Sequence, residues 1–127
     1  LFTALLHDCG KPTVRTLENG IVRTRNHAAE SAKQAEMILG ELGIEPVVGK
    51  RIVDLIRFHS HPAKMLNAGP DLDIDEELRK LSQSVELPLL FTFSRADNLG
   101  TISDGREHRL EWLDTLENRA KAKSLFF

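Results

Sequence analysis

The stretch NHAAESAKQAEMILGELG, residues 26–43, repeats small and branched apolar residues at intervals of three and four, the spacing of one face of an α-helix. The members of this stripe are Ala28, Ala32, Ala35, Leu39 and Leu42. Asn26 is a suitable helix cap and Gly43 a suitable stop. Because a helix with one apolar face must bury it against another element, this stretch predicts a packed, mainly helical protein.

Most of the remaining chain also has helical periodicity. Residues 1–8 read as the last turns of a helix, and the face they predict is formed by Leu1, Ala4, Leu5 and Asp8. Residues 47–62 place Ile52, Leu55, Ile56 and His59 on one face, and we expect Pro62 to end that helix. A loop is predicted over 63–73, followed by helices over roughly 74–84, 87–99 and 105–123. The acidic residues at 71–77 favour a helix start, where negative charge suits the helix dipole.

One segment has a different pattern. Residues 13–25 carry β-branched side chains on both sides of Asn19-Gly20, a dipeptide typical of a tight hairpin turn. Gly10 and Pro12 precede this segment and are expected to end the first helix. The sequence therefore predicts an all-α bundle with a short β-hairpin.

Length and composition set the broad class. The chain has 127 residues, enough for one domain with a real core, and its 41% hydrophobic and 28% charged residues are ordinary for a globular protein. The net charge of −2 gives no bulk basic character for binding a phosphate backbone. A single cysteine, Cys9, and the absence of a signal-peptide pattern or a membrane span favour the cytoplasm. Since Leu1 is not an initiator methionine and lies within an apolar pattern, we expect a single domain, truncated at its N-terminus, of a longer protein.

Histidines and aspartates at the predicted helix ends are candidate metal ligands. The set comes from four helices and comprises His7, Asp8, His27, His59 and Asp97. His59 and Asp97 fall on apolar stripes, and a carboxylate buried there would need a partner or a cation. Imidazole nitrogen and carboxylate oxygen suit divalent transition metals, and bundles build such sites between their helices. Taken alone, a His-Asp step also fits a capped helix end that faces water.

Four motifs in order resemble those of one enzyme superfamily. They read ALLHDCGKP, NHAAESAKQAEMILGELG, IVDLIRFHSHP and FSRADNLG. In this order and spacing they are similar to the motifs of the HD-domain metal-dependent phosphohydrolases. The likeness is strongest to the HD domain of bacterial CCA-adding tRNA nucleotidyltransferases and poly(A)-polymerase-like proteins, and it covers residues 4 to about 100.

The resemblance implies roles for individual residues. It assigns His7 and Asp8 to the metal-binding doublet, His27 and His59 to later ligands, and Asp97 to the closing ligand. It also implies a further ligand histidine on a helix before the doublet, a helix that would lie ahead of Leu1. The bound ion would be a divalent metal such as Mn, Ni, Fe, Co, Mg or Zn.

Roles in substrate binding and catalysis are predicted for a second group. Lys11 matches the lysine that follows the doublet in many members and suits a phosphate oxygen; Asp8 and Asp97 are the other catalytic candidates. Arg57, Arg95 and His61 are weaker candidates for substrate contact. Alternatively, the two arginines form ion pairs at the surface or rim, and His61 faces solvent or orients the metal ligands. His27 can also be no more than the residue at which a helix starts.

The predicted function is hydrolysis of a phosphomonoester or a 2',3'-cyclic phosphodiester on nucleotides or RNA ends. A bound divalent cation makes this chemistry accessible near neutral pH because it acidifies water and polarises the phosphoryl oxygen. The expected partners are a nucleotide or phosphoester substrate, tRNA and an upstream nucleotidyltransferase domain, with no membrane. The alternatives are a non-catalytic HD-fold module for tRNA or domain contacts, and a nucleotide-specific enzyme such as a 5'-nucleotidase or a triphosphohydrolase.

Overall fold

A computed structural model describes all residues, 1–127. The elements in chain order are α1 (Phe2–Leu6), α2 (Lys11–Val14), β1 (Thr16–Glu18), β2 (Ile21–Arg23), α3 (His27–Glu41), α4 (Pro46–Phe58), α5 (His61–Asn67), α6 (Ile74–Ser82), α7 (Leu87–Leu99) and α8 (Arg106–Ala122). The predicted all-α architecture with one short hairpin is confirmed. The chain divides into two compact units, Leu1–Phe58 and His59–Phe127.

The first unit is organised around the pair α3 and α4. Its buried core is formed by Ala32, Ala35, Leu39, Val53 and Ile56. Alanines on α3 let α4 approach closely, and partly buried side chains from α1 complete the packing. Leu42, which the periodicity placed on the same stripe, is exposed because α3 ends at Glu41.

The inward face of α1 differs from the predicted one. Leu1 and Leu5 are exposed, whereas Phe2 and Leu6 pack against the core and Thr3 is buried. A helix of five residues is too short for apolar spacing to define its buried side, so the expected face was wrong. The helix also stops at Leu6, two residues before the predicted end at Asp8, so the His-Asp step lies in the turn after it.

The hairpin forms where the turn signal predicted it. Asn19 and Gly20 both have positive φ, and Leu17 pairs with Val22 across the two antiparallel strands. Each strand has only three residues, all exposed. The segment just before it differs from expectation, because Lys11–Val14 is a short helix with Pro12 in its first turn, where proline is tolerated.

The second unit packs α5 to α8 around its own core. The largest fully buried side chains there are Leu78, Leu87, Leu90, Phe91, Leu113 and Leu116. Helix α6 begins at the predicted acidic stretch, and the Asp73 carboxylate accepts a hydrogen bond from the Glu76 amide at 3.1 Å. Trp112 is half-buried and donates from its indole nitrogen to the Pro62 carbonyl at 2.8 Å.

Helix α5 corrects the loop predicted over 63–73. Pro62 does not end the preceding helix, which stops at Phe58; it lies in the first turn of a new helix that runs to Asn67. A proline in a first turn loses no hydrogen bond, because the amide there has no intrahelical partner. None of the helices is long and apolar enough to cross a membrane.

Candidate metal centre

Three side chains from separate parts of the chain bring potential ligand atoms together. A carboxylate oxygen of Asp8 and ring nitrogens of His27 and His59 all lie within 4.8 Å of one another. Each of the three is at least partly shielded from solvent. One carboxylate and two imidazoles form a donor set suited to a divalent metal ion.

Each member lies at or beside a helix end. Asp8 is in the turn after α1, His27 is the first residue of α3, and His59 directly follows α4. The His59 ring is buried and meets the edge of Phe93 on α7, with ring centroids 6.3 Å apart and planes at 85°. Side chains at helix ends are held by a rigid element and still face away from its hydrogen-bonded interior, which is what a metal site needs.

Backbone carbonyls fix the orientation of two histidine rings. His7 Nδ1 lies 2.8 Å from the Ala4 oxygen, and His27 Nδ1 lies 3.2 Å from the Thr24 oxygen. Because a carbonyl only accepts, Nδ1 is the donor in each ring, and in the neutral form the lone pair is on Nε2. Holding the second nitrogen in this way is how proteins commonly orient metal-binding histidines.

Both Nε2 atoms face the same carboxylate. His7 Nε2 is 3.3 Å from Asp8 Oδ2, and His27 Nε2 is 3.3 Å from Asp8 Oδ1. Two neutral imidazole lone pairs directed at a carboxylate repel it, so a cation placed between these atoms would stabilise the arrangement.

The ionisation state of Asp8 also suits binding of a cation. Partial burial raises the pKa of its carboxyl, but the hydrogen bond from Lys11 and the charges of His7, Lys11 and His27 outweigh burial and hold the pKa below its usual value. Lys11 Nζ lies 3.0 Å from Asp8 Oδ2, and its side chain is about half exposed. The carboxylate is therefore ionised at neutral pH and available to a cation.

The turn that carries Asp8 is fixed against α3 by a close contact. The Gly10 amide donates to the Ser31 hydroxyl at 2.8 Å, and both residues are buried. A Cβ at Gly10 would lie 2.5 Å from the Ser31 nitrogen, so only glycine fits this approach. Ser31 is one turn after His27 on α3, and the contact thereby sets the distance between Asp8 and His27.

The structure brings together three of the five predicted ligands. His7 contacts Asp8 but is outside the group of three, and Asp97 is also outside it. Asp97 is exposed, so the expectation that its carboxylate lies on a buried stripe was wrong; the last turn of α7 turns that side toward solvent. Phe93, one turn earlier on the same helix, does contact His59. The assignment of each residue as a ligand stays a prediction.

The weaker substrate candidates have protein partners. Arg95 pairs with Asp114 at 3.0 Å and also with Glu117, both on α8, and these carboxylates raise its pKa against the effect of burial. Arg57 NH1 lies 3.6 Å from Asp54. His61 Nε2 lies 3.7 Å from Glu77. Ion pairing of the two arginines matches the alternative that the sequence left open.

Several groups that position the candidate metal centre could not be identified from the sequence motifs. These are Ser31, Phe93 and the Ala4 and Thr24 carbonyls. Ser31 alone left a signal, because it is a polar residue within the alanine stripe of α3. Cys9 is a free cysteine that points its sulfur at the Ser31 carbonyl at 3.7 Å, and burial raises the pKa of its thiol.

Comparison with known proteins gives one match. The family described as HD domain matches residues 1–102, which is most of the chain. Neither the curated proteins nor the solved structures contain a match.

Proposed function

The chain belongs to the HD domain family, and from this membership and the geometry around Asp8 we propose that it hydrolyses phosphoesters of nucleotides or RNA ends with a bound divalent metal. The family implies a metal-dependent phosphohydrolase in general terms. The observation that carries the proposal is the convergence of an Asp8 carboxylate oxygen with ring nitrogens of His27 and His59, all within 4.8 Å of one another.

The residues fit a divalent metal. Asp8, His27 and His59 supply oxygen and nitrogen donors within 4.8 Å of one another, which leaves other positions of the ion for water and substrate. Bound there, a divalent cation polarises a phosphoryl oxygen and lowers the pKa of water. The carbonyl of Thr24 keeps the His27 ring oriented for ligation before the metal arrives.

Lys11 is the residue we assign to the substrate phosphate. Its ammonium group is half exposed and lies 3.0 Å from Asp8, so it is held at the edge of the metal-binding carboxylate. A cation in this position balances negative charge that builds on the phosphoryl oxygens. The choice of a phosphomonoester or 2',3'-cyclic phosphate, and the link to tRNA through a nucleotidyltransferase domain, rest on the likeness of the motifs to one branch of the family.

The first experiment measures metal content by elemental analysis of the purified protein, of Asp8→Ala and of the control Asp71→Ala. Asp71 is exposed and outside the cluster. We expect near-stoichiometric metal in the protein and the control and its loss in Asp8→Ala.

Hydrolysis is then measured with p-nitrophenyl phosphate and with 2',3'-cyclic AMP after addition of manganese or nickel. Activity that follows metal content across the three proteins supports the proposal. Metal binding without hydrolysis of either substrate overturns the catalytic role and favours a non-catalytic HD-fold module.

A further inference from the structure

The segment that joins Asp8 to His27 is basic, although the chain is not. Residues 11–25 contain four basic side chains and one acidic side chain, whereas the whole chain has a net charge of −2. The basic residues are Lys11, Arg15, Arg23 and Arg25, and the acidic one is Glu18. Positive charge is therefore concentrated in the segment between two of the proposed ligands and is not a property of the chain as a whole.

Two of these cations are not neutralised within the chain. Lys11 pairs with Asp8, and Arg25 Nε lies 3.2 Å from Glu18 with its side chain 70% exposed. Arg15 and Arg23 are exposed and form no ion pair. Arg23 is opposite Thr16 across the ribbon, so it lies at the same end of the hairpin as Arg15 but on the face opposite to Val22.

The hairpin also leaves apolar side chains in water. Leu17 is 73% exposed, and its cross-strand partner Val22 is 50% exposed. Arg15 has an extended backbone, so alternation places it on the same face as Leu17. A ribbon of three-residue strands gains little stability from a face that contacts only water. The apolar pair Leu17 and Val22 beside the cation of Arg15 is suited to a ligand that has both a flat apolar part and an anionic part.

We propose that the hairpin binds a single-stranded oligonucleotide whose terminal phosphate lies at the metal centre. This inference rests on the proposed function, because the metal centre identifies the ligand as a phosphoester. Lys11 alone can serve the phosphate of a free mononucleotide. Arg15 and Arg23 have no carboxylate partner in the chain, and the phosphates of a strand that passes over this end of the hairpin would reach one arginine on each face. Leu17 with Val22, on the face of Arg15, offers a surface for a base.

The test measures binding of a fluorescein-labelled single-stranded RNA octamer with a 3'-phosphate, by anisotropy in EDTA between 50 and 200 mM KCl (about 0.1 M at the midpoint). The variant is Arg15→Gln with Arg23→Gln. The control is Lys33→Gln with Lys64→Gln, which removes the same charge from two exposed lysines on α3 and α5 that form no ion pair.

The expected effect follows from counterion release. Each phosphate contact on a single strand contributes a slope of about 0.7 to the dependence of log affinity on log salt, so two lost contacts lower the slope by about 1.4. Near 0.1 M salt this corresponds to roughly 25-fold weaker binding. We expect the control to keep the slope of the unmodified protein.

Hydrolysis supplies an independent arm. With manganese added, we expect the arginine variant to lose its preference for the octamer 3'-phosphate over p-nitrophenyl phosphate by the same factor. Equal binding by variant and control, or binding of an octaglutamate peptide in place of RNA, overturns the inference. Failure of the unmodified protein to hydrolyse both p-nitrophenyl phosphate and 2',3'-cyclic AMP contradicts the proposed function and leaves the binding result in EDTA to decide the inference on its own.

Discussion

Replacing Gly10 by alanine should damage both the stability of the first unit and its affinity for metal. The added Cβ would lie 2.5 Å from the Ser31 nitrogen and 2.8 Å from the Glu30 carbonyl carbon. Ordinary contact begins at 3.4 Å, so the Gly10 turn and α3 must separate by about 0.9 Å. The backbone conformation of Gly10, with φ −82° and ψ −12°, is itself acceptable for alanine, so the whole effect comes from this close contact.

The magnitude has two parts. Overpacking against a backbone costs about 1 to 3 kcal/mol. A shift of this size also stretches the 2.8 Å hydrogen bond from the Gly10 amide to the Ser31 hydroxyl beyond bonding distance, and an unsatisfied buried amide costs about 1 to 3 kcal/mol. We expect a loss of about 2 to 5 kcal/mol after the small gain from restricting the unfolded chain. For a chain of this length that lowers the Tm by roughly 8 to 20 °C.

The assay is thermal unfolding in EDTA, followed by calorimetric titration with manganese. Gly40→Ala is the matched control, because Gly40 is helical and an added Cβ there would have no neighbouring atom within 4 Å; it should be neutral or gain up to about 1 kcal/mol. Since Asp8 is two residues from Gly10, we expect metal affinity to fall about 10- to 100-fold in Gly10→Ala. Unchanged stability of Gly10→Ala would refute the packing argument. Lowered stability with unchanged metal affinity would show that the contact between Gly10 and Ser31 does not position the metal centre.

Three further predictions concern single contacts. Asp73→Ala should destabilise the protein by about 1 kcal/mol through loss of the α6 cap, measured by urea unfolding, whereas Asp71→Ala should not; equal effects would contradict the capping role. The thiol of Cys9 should react more slowly with a disulfide reagent at neutral pH than free cysteine does, since burial raises its pKa; a rate equal to that of free cysteine would contradict this. Because the pKa of Asp8 is below its ordinary value in the folded state, the ionised carboxylate adds stability above the unfolded pKa, near 3.8, and this is lost as the pH falls through the folded pKa. In EDTA the difference in unfolding free energy between the protein and Asp8→Asn should therefore narrow below about pH 4. A difference that stays constant with pH would contradict the lowered pKa of Asp8 as its cause.

The sequence predicted those elements whose signals are local. The stripe of α3 from Ala28 to Leu39 and the Asn19-Gly20 turn depend on neighbours within a few residues, and both formed as expected. Pro62 was misread because a proline can either follow a helix or lie in the first turn of the next, and only the packing of α5 decides between them. The face of α1 was misread for a related reason, since five residues give too little periodicity to identify the buried side.

The candidate site also contains features that local sequence patterns predict and features that they do not. Residue types and motif order identified Asp8, His27 and His59, and the structure gathers these three. The contact of Gly10 with Ser31 joins residues 21 positions apart, so no local pattern reveals it. Asp97 fits a helical stripe in sequence, but α7 leaves the side chain exposed near its end, where periodicity no longer reports burial.

If the proposed site binds a metal, the location of these contacts makes metal binding and folding interdependent. Helix α3 provides His27 as its first residue and Ser31 one turn later, so the helix that carries this proposed ligand also holds the turn that carries Asp8. Because the Nε2 atoms of two imidazoles face the Asp8 carboxylate, their lone pairs in the neutral form would repel it. A cation that removes the repulsion binds the folded form preferentially and stabilises it, by about 2.7 kcal/mol at a concentration 100 times its Kd. A substitution that lengthens the contact between Gly10 and Ser31 destabilises the fold. It also weakens metal binding, because part of the binding free energy is then used to bring Asp8 and His27 together.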